Sequence, residues 1–272
     1  MAESRGRTAL ITGATDGVGR VVARALGTDG WRVLVHGRDR ARGEALVREI
    51  EQGGATFLAA DLASLAEVRR LAEAVRATTD RLDLLINNAG IGSAGNAPGR
   101  KTSAEGHELR FAVNYLAGFL LTHLLLPLLK ASTPARIVNV SSAGQQAIDF
   151  SDVMLTRQYS GVAAYCQSKL AQILFTVDLA AELEGSGVIV NALHPSTYMN
   201  TTMVRQAGVS PMSRVEDGAE AILQLATSPA LAGRSGLYFN VLREARANGQ
   251  AYDAEARRKL RALSLDLTGL TS

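Results

Sequence analysis

With 272 residues, 47% of them hydrophobic and 20% charged, the chain has an ordinary globular composition and enough length to bury a large core. Its formal net charge of +3 is small and scattered, which argues against a nucleic-acid-binding role. A single cysteine, Cys166, excludes an internal disulfide framework or a Cys-rich metal site and suits a reducing compartment. After a tail of residues 1–6 the chain enters a strand-like run at 8–12, leaving no room for a signal peptide and predicting a cytoplasmic protein. Further β-branched, apolar runs follow at 31–37, 56–62, 82–88, 135–142, 188–195 and 236–240. Helical patterns occupy 18–27, 38–52, 64–79, 103–129, 161–184 and 214–228. Such alternation predicts an α/β fold, with a doubly wound parallel sheet of about seven strands and helices on both faces. With no internal repeat or proline-rich linker, residues 1–272 read as one domain, closed by a C-terminal extension at 243–272 that carries an amphipathic helix. Its arginines read as the solvated face of that helix. The apolar stretch 115–129 is too short to span a bilayer, so it reads as a buried helix and no membrane anchor is expected.

Chemistry is concentrated where these elements join. Between the first strand and helix lies Gly13-Ala14-Thr15-Asp16-Gly17-Val18-Gly19. Glycines there permit a tight turn and bring backbone N–H groups to a dinucleotide pyrophosphate at a helix N-terminus. The second strand ends His36-Gly37-Arg38, with no acidic side chain before Asp39. An arginine in that place welcomes a 2′-phosphate where an acid would repel it, so NADP(H) is favoured over NAD(H), with Arg42 assisting Arg38. Asp16 pulls mildly the other way. Farther on, Tyr165 and Lys169 stand four apart in a helical pattern and share a face. A free phenol has a pKa of about 10, and a neighbouring ammonium favours its ionised form. Tyr165 is therefore a candidate general acid/base.

Taken together, these residues resemble the short-chain dehydrogenase/reductase family over roughly residues 7–240. The glycine motif is TGATDGVG, the adenine-pocket acid Asp61-Leu62, the strand-end motif Asn87-Asn88-Ala89-Gly90, and the helix asparagine Asn114. The serine strand reads RIVNVSS and the catalytic pair is Tyr165 and Lys169. Within the family the chain is most similar to the retinol-dehydrogenase-like branch, through the long segment between serine and tyrosine, YCQSKLAQILF and LEGSGVIVNALHP. The resemblance implies a Rossmann-type fold and hydride transfer between NADP(H) and a carbonyl or alcohol. Tyr165 would exchange the proton, while Lys169 would lower the tyrosine pKa and bind the nicotinamide ribose. Ser142 would hold the substrate oxygen, with Ser141 its rival, and Asn114 would support a proton relay. Relatives often pair through the helices carrying Asn114 and Tyr165, which implies a homodimer or homotetramer.

One departure stands out. Where the family has Pro-Gly after the 188–195 strand, this chain has Pro195-Ser196-Thr197, so either Thr197 or Thr201 is expected at the nicotinamide or pyrophosphate. His194 reads as a packed strand-end residue. Residues 91–98, 143–159 and 197–209, rich in Ile91, Ile148, Phe150, Met154, Tyr159 and Met203, are expected to wall an apolar pocket for a small hydrophobic ketone, aldehyde or alcohol. The competing readings are a non-catalytic NADP(H)-binding regulator or redox sensor, and an enoyl reductase on the same scaffold. No metal is expected.

Overall fold

The computed structural model describes residues 6–50, 53–93 and 99–271. Most of the expected N-terminal tail and residues 94–98 of the expected pocket wall lie outside them. Eight strands form one sheet in the order β3-β2-β1-β4-β5-β6-β7-β8. They are β1 (Thr8–Ile11), β2 (Arg32–Gly37), β3 (Ala55–Ala59), β4 (Leu84–Asn87), β5 (Ala135–Val140), β6 (Val188–His194), β7 (Tyr238–Asn240) and β8 (Arg243–Ala245). All neighbours are parallel except β7 and β8. The eighth strand, an antiparallel edge inside the segment expected to be an extension, raises the count above the anticipated seven.

Strand side chains alternate between two cores because their period is two. Leu10, Leu34, Leu85 and Ile137 point to one face; Ala9, Ile11, Val33, Val35, Leu84, Ile86 and Val138 point to the other. The first face is covered by α3 (Leu65–Thr78), the long helix α4 (Leu109–Ala131), α5 (Gly161–Glu182) and, at the end of the chain, α8 (Ala254–Thr268). The second is covered by α1 (Gly17–Thr28), α2 (Arg40–Glu49) and α7 (Val215–Thr227), with a short helix α6 (Thr202–Gln206) at the strand ends. Side chains at the helix starts satisfy orphan N–H groups: Asp16 caps α1, Asp39 caps α2 and Ser64 caps α3.

Helix α4 begins later than its apolar pattern suggested, because the Ser103 hydroxyl accepts the N–H groups of Glu105 and His107 and folds that stretch into a turn. Even so it runs 23 residues, longer than the apolar core of its pattern. It is the one helix among the described residues long and apolar enough to cross a membrane, and most of its apolar stretch is buried inside the protein. A π-helical turn at Ala112–Leu116 inserts an extra residue around Asn114.

The C-terminal helix is tied into the body. The Tyr115 hydroxyl meets the Ser264 hydroxyl at 2.7 Å in the core. Arg261, expected on the solvated face, instead bridges Asp178 at 2.6 Å and Glu182 at 3.2 Å on α5. The C-terminal helix thus covers part of the outer side of α5.

Toward the β3 edge of the sheet, buried His36 closes a corner among β1, β2 and β3. The Gly13 N–H donates to its Nδ1 at 3.2 Å, which leaves Nε2 to carry the proton and donate to the Ala60 carbonyl at 3.1 Å. Burial pushes its pKa from 6.5 to about 4, against the Ala60 carbonyl and Asp61, which favour the cation. The imidazole is neutral in the folded protein.

Leu260→Ala in α8, a fully enclosed site, should destabilise the whole protein by about 2–5 kcal/mol in urea unfolding. Tyr115→Phe should cost only about 0.5–1.5 kcal/mol, since Ser264 keeps its bond to the Leu260 carbonyl. A separate, early transition of the C-terminal segment would contradict this docking. For His36, the unfolded imidazole takes up a proton below about pH 6.5 while the folded one does not until about pH 4. Its contribution is complete above pH 6.5 and is lost as pH falls, by about 2–3 kcal/mol at pH 4.5. His36→Gln should flatten the stability–pH curve by that amount; an unchanged curve would refute the buried neutral assignment.

Candidate active site

Strand order reverses between β1 and β4, so the loops leaving their carboxyl ends diverge and open a crevice. The crevice is laced by side chains. The Thr12 hydroxyl accepts the N–H groups of Asn88 and Ala89, each at 3.0 Å. In return the Asn88 amide donates to the carbonyls of Thr12 at 2.8 Å and Gly13 at 3.1 Å. Such closeness leaves no room for side chains. A Cβ on Gly19 would stand 2.5 Å from both Asn88 Nδ2 and the Gly13 oxygen, and one on Gly13 would stand 2.8 Å from Ala89 Cα. Gly13 and Gly17 also take φ of +65° and +52°. The first turn of α1, with Val18 buried behind it, therefore faces the crevice as bare backbone. Thr15 packs on Gly37 at the end of β2. This is a cradle into which a pyrophosphate fits, and the residues suit a dinucleotide.

Charges at its outer rim are paired. Asp16 accepts the Gly17 N–H at 2.7 Å and meets Arg42 at 3.3 Å. Its pKa lies below the ordinary carboxylate value: slight burial opposes ionisation, but Thr202, Gly17, Arg42 and Arg205 outweigh it. Arg38, 70% exposed, reaches Asp61 at 3.7 Å. Asp61 also accepts the Ala63 N–H, and Leu62 is buried beneath. The two residues expected separately at the adenosine end thus face each other.

At the inner end, strand alternation separates the two serines. Ser141 donates to the Lys169 carbonyl at 2.6 Å, locking α5 to β5, while Ser142 accepts the Gly144 N–H and lies near Tyr165, a Cβ on Gly144 standing 3.5 Å from its Oγ and 3.6 Å from Tyr165 Cε1. Asn114 clasps the chain after Gly90: it accepts the Ile91 N–H at 2.8 Å and donates to the Ile91 carbonyl at 3.1 Å and to Ser168 at 2.9 Å. Gly90 passes close to Lys169, and a Cβ on it would lie 3.4 Å from Nζ. The lysine head is buried and donates to the Val140 carbonyl at 2.9 Å and to Gln172 Oε1 at 3.0 Å.

Here the expected pKa coupling is reversed. Burial lowers Lys169 to about 7, and burial raises Tyr165 above the ordinary phenol value despite Ser142. Nζ lies 5.9 Å from the tyrosine ring centroid, turned toward Gln172. The phenol is held protonated and the lysine is easily neutralised, rather than an ammonium forcing a phenolate.

The loop after β6 places the two threonines differently. Pro195 is buried, and Thr197 is engaged by His194 Nε2 at 3.1 Å. Thr201 instead caps α6 and lies over Gly17, where a Cβ would meet its Cγ2 at 3.3 Å. Ser196 is tied to Ser213 at 2.8 Å. His194 is a packed strand-end residue whose pKa burial lowers. Of the residues expected in the apolar wall, Ile148 is buried in the core, Phe150 and Met154 are partly buried against it, and the Tyr159 hydroxyl is bonded to Arg110 and Glu108. Met203 remains, lying over Gly92. Sequence reasoning missed His36 and Gln172. The latter was visible as a polar residue one turn beyond Lys169, on the helix face it shares with Ser168 and Thr176.

Known proteins agree with this architecture. The short chain dehydrogenase family matches residues 7–210. Human retinol dehydrogenase 13 is 39% identical over 289 residues, covering 97% of this chain and 85% of that protein. Human retinol dehydrogenase 14 is 40% identical over 297 residues, covering 97% and 87%. Among solved structures, an uncharacterized protein from Mycobacterium paratuberculosis superposes with a TM-score of 0.80 at 31% identity, covering 97% of this chain and 94% of that one. Pseudomonas aeruginosa RhlG, solved as an NADP active-site complex, gives 0.71 at 30%, covering 87% and 95%. A 3-ketoacyl-(acyl-carrier-protein) reductase from Brucella melitensis, complexed with NADH, gives 0.70 at 28%, covering 87% and 97%. Fold, cradle and similarity converge: the chain belongs to the short-chain dehydrogenase/reductase family, in its retinol-dehydrogenase-like branch, and is an oxidoreductase of the alcohol–carbonyl type.

Proposed function

We propose that this protein interconverts a hydrophobic aldehyde or ketone and its alcohol with NADP(H), using Tyr165 as the proton-exchanging group. The observation that carries this reading is the convergence of Tyr165, Ser142 and buried Lys169 beside the glycine cradle. When bound, the nicotinamide cofactor supplies or accepts the hydride. Tyr165, kept protonated by burial, would give its proton to the substrate oxygen in reduction, and Ser142 would hold that oxygen by a hydrogen bond. Lys169, with a pKa near 7, is matched to returning the proton at neutral pH. In the oxidative direction Tyr165 would first pass its own proton toward neutral Lys169 and then take the alcohol proton.

Arg38 supports NADP(H): its guanidinium is largely exposed at the end of β2, and its partner Asp61 is 3.7 Å away and easily exchanged for a phosphate. Structural relatives occur with NADP and with NADH, so the preference rests on this chain's own arginine. The names of the retinol dehydrogenases, which point to an apolar alcohol, and Met203 at the loop support a hydrophobic substrate.

Oxidation of NADPH and NADH with a panel of hydrophobic aldehydes and ketones tests the proposal. Turnover should appear with NADPH and fall by roughly 100-fold or more in Tyr165→Phe. Arg38→Ala should reduce the preference for NADPH over NADH by about 10-fold or more, the worth of a charge-assisted contact. Undiminished turnover in Tyr165→Phe would remove the tyrosine from the mechanism, and an unchanged cofactor ratio would remove Arg38 from recognition.

A further inference from the structure

Arg110 is a buried cation that the proposed chemistry does not use. It is 6% exposed, and its neighbour Glu108 is 1% exposed. It stands one turn before Asn114 on α4, where side chains four apart share a face. Asn114 clasps both polar groups of Ile91, and Arg110 continues the clasp along the loop. Its Nε donates to the Gly92 carbonyl at 2.8 Å and its Nη2 to the Ser93 carbonyl at 3.0 Å. The remaining arm, Nη1, donates to the Tyr159 hydroxyl at 2.6 Å; that hydroxyl in turn donates to Glu108 at 3.2 Å. Glu108 holds the Phe111 N–H at 2.7 Å and stands 3.6 Å from the guanidinium. Every charge in the cluster is answered, as burial demands.

The loop gripped in this way borders the candidate active site. It adjoins the Lys169 head at Gly90 and Met203 at Gly92. Its far end rests on the start of α5: a Cβ on Gly161 would stand 2.6 Å from the Ser93 oxygen, four residues before Tyr165. Tyr159 lies just ahead of that helix start. Guanidinium geometry suits the task, because one rigid planar fork fixes the directions of its bonds to two successive carbonyls and a hydroxyl, which an ammonium on a flexible stem does not.

We propose that Arg110 is a positioning residue for the reaction. Through the carbonyls of Gly92 and Ser93 and through Tyr159, it fixes the spacing between the 91–93 loop and the N-terminus of the helix that carries Tyr165. It touches neither substrate nor cofactor. The kinetic half of this inference rests on the proposed carbonyl reduction; the structural half does not.

The experiment combines amide hydrogen exchange with steady-state kinetics. Arg110→Met alone would strand Glu108, so the informative variant is the neutral pair Glu108→Gln/Arg110→Met, beside Arg110→Lys and the milder Tyr159→Phe. In the neutral pair, peptides covering 88–93 and 159–165 should exchange about 10-fold faster or more, with the sheet unchanged. NADPH affinity should stay within about threefold while kcat/KM for the carbonyl falls by roughly 10-fold or more. Arg110→Lys should recover part of the loop protection, and Tyr159→Phe should loosen 159–165 more than 88–93. Unchanged exchange in the neutral pair would overturn the proposal, whatever the kinetics. If that variant does not fold, unchanged exchange in both Arg110→Lys and Tyr159→Phe overturns it equally. Absence of turnover in the wild-type protein would defeat the assigned reaction, yet the exchange data would still decide the role of Arg110.

Discussion

The interlock of Thr12 with Asn88 is the contact on which the site depends. Parallel strands that part company at a switch point leave backbone polar groups facing a gap, and buried polar groups must find partners. One side-chain amide and one hydroxyl answer that need, binding the loop after β4 directly onto the glycine turn after β1. The requirement for glycine at 13 and 19 follows from this contact, since any Cβ there would displace Asn88, Ala89 or the turn itself. From the same anchor the chain runs on to Gly90 and Ile91, where Asn114 receives it. Cofactor cradle and catalytic side are thus two ends of one laced segment.

Electrostatics within the site depend on how little charge it contains. Lys169 is buried with a carbonyl and an amide as its partners, and burial alone accounts for its lowered pKa. Tyr165 is raised by the same cause. One dry environment thus disfavours both charged forms, keeping the phenol protonated and making the lysine easier to neutralise. Fixed charges are kept at the rim instead, where Asp16 with Arg42 and Arg38 with Asp61 balance each other in partial contact with solvent. An arriving dinucleotide would exchange these contacts rather than fill an uncompensated field.

Much of this was legible in the sequence because it is local. Period-two runs placed the strands, glycines marked the turn, and strand alternation alone separates Ser141 from Ser142 once one of them is seen to face the helix. What the sequence hid depends on long-range placement. Tyr165 and Lys169 were correctly set on one helix, but the direction of their pKa shifts turned on burial and on Gln172. Arg261 read as a wet helix face because its partners, Asp178 and Glu182, lie some eighty residues earlier. Tyr159 and Met154 read as pocket wall, being apolar near the site; their orientation was set by Glu108 and Arg110 on another helix. Strand β8 is only three residues long, too short for its pattern to stand out.

Binding of NADPH to Asn88→Ala, followed by calorimetry beside thermal unfolding, tests the central claim most directly. Alanine removes both amide bonds that hold the Thr12 and Gly13 carbonyls while leaving the sheet and helices intact. The predicted result is a cooperatively folded protein that binds NADPH roughly 30-fold more weakly or worse, the effect of losing about 2 kcal/mol of preorganisation. Wild-type affinity in a folded Asn88→Ala protein would contradict the account, since the cradle would then hold its shape without the interlock.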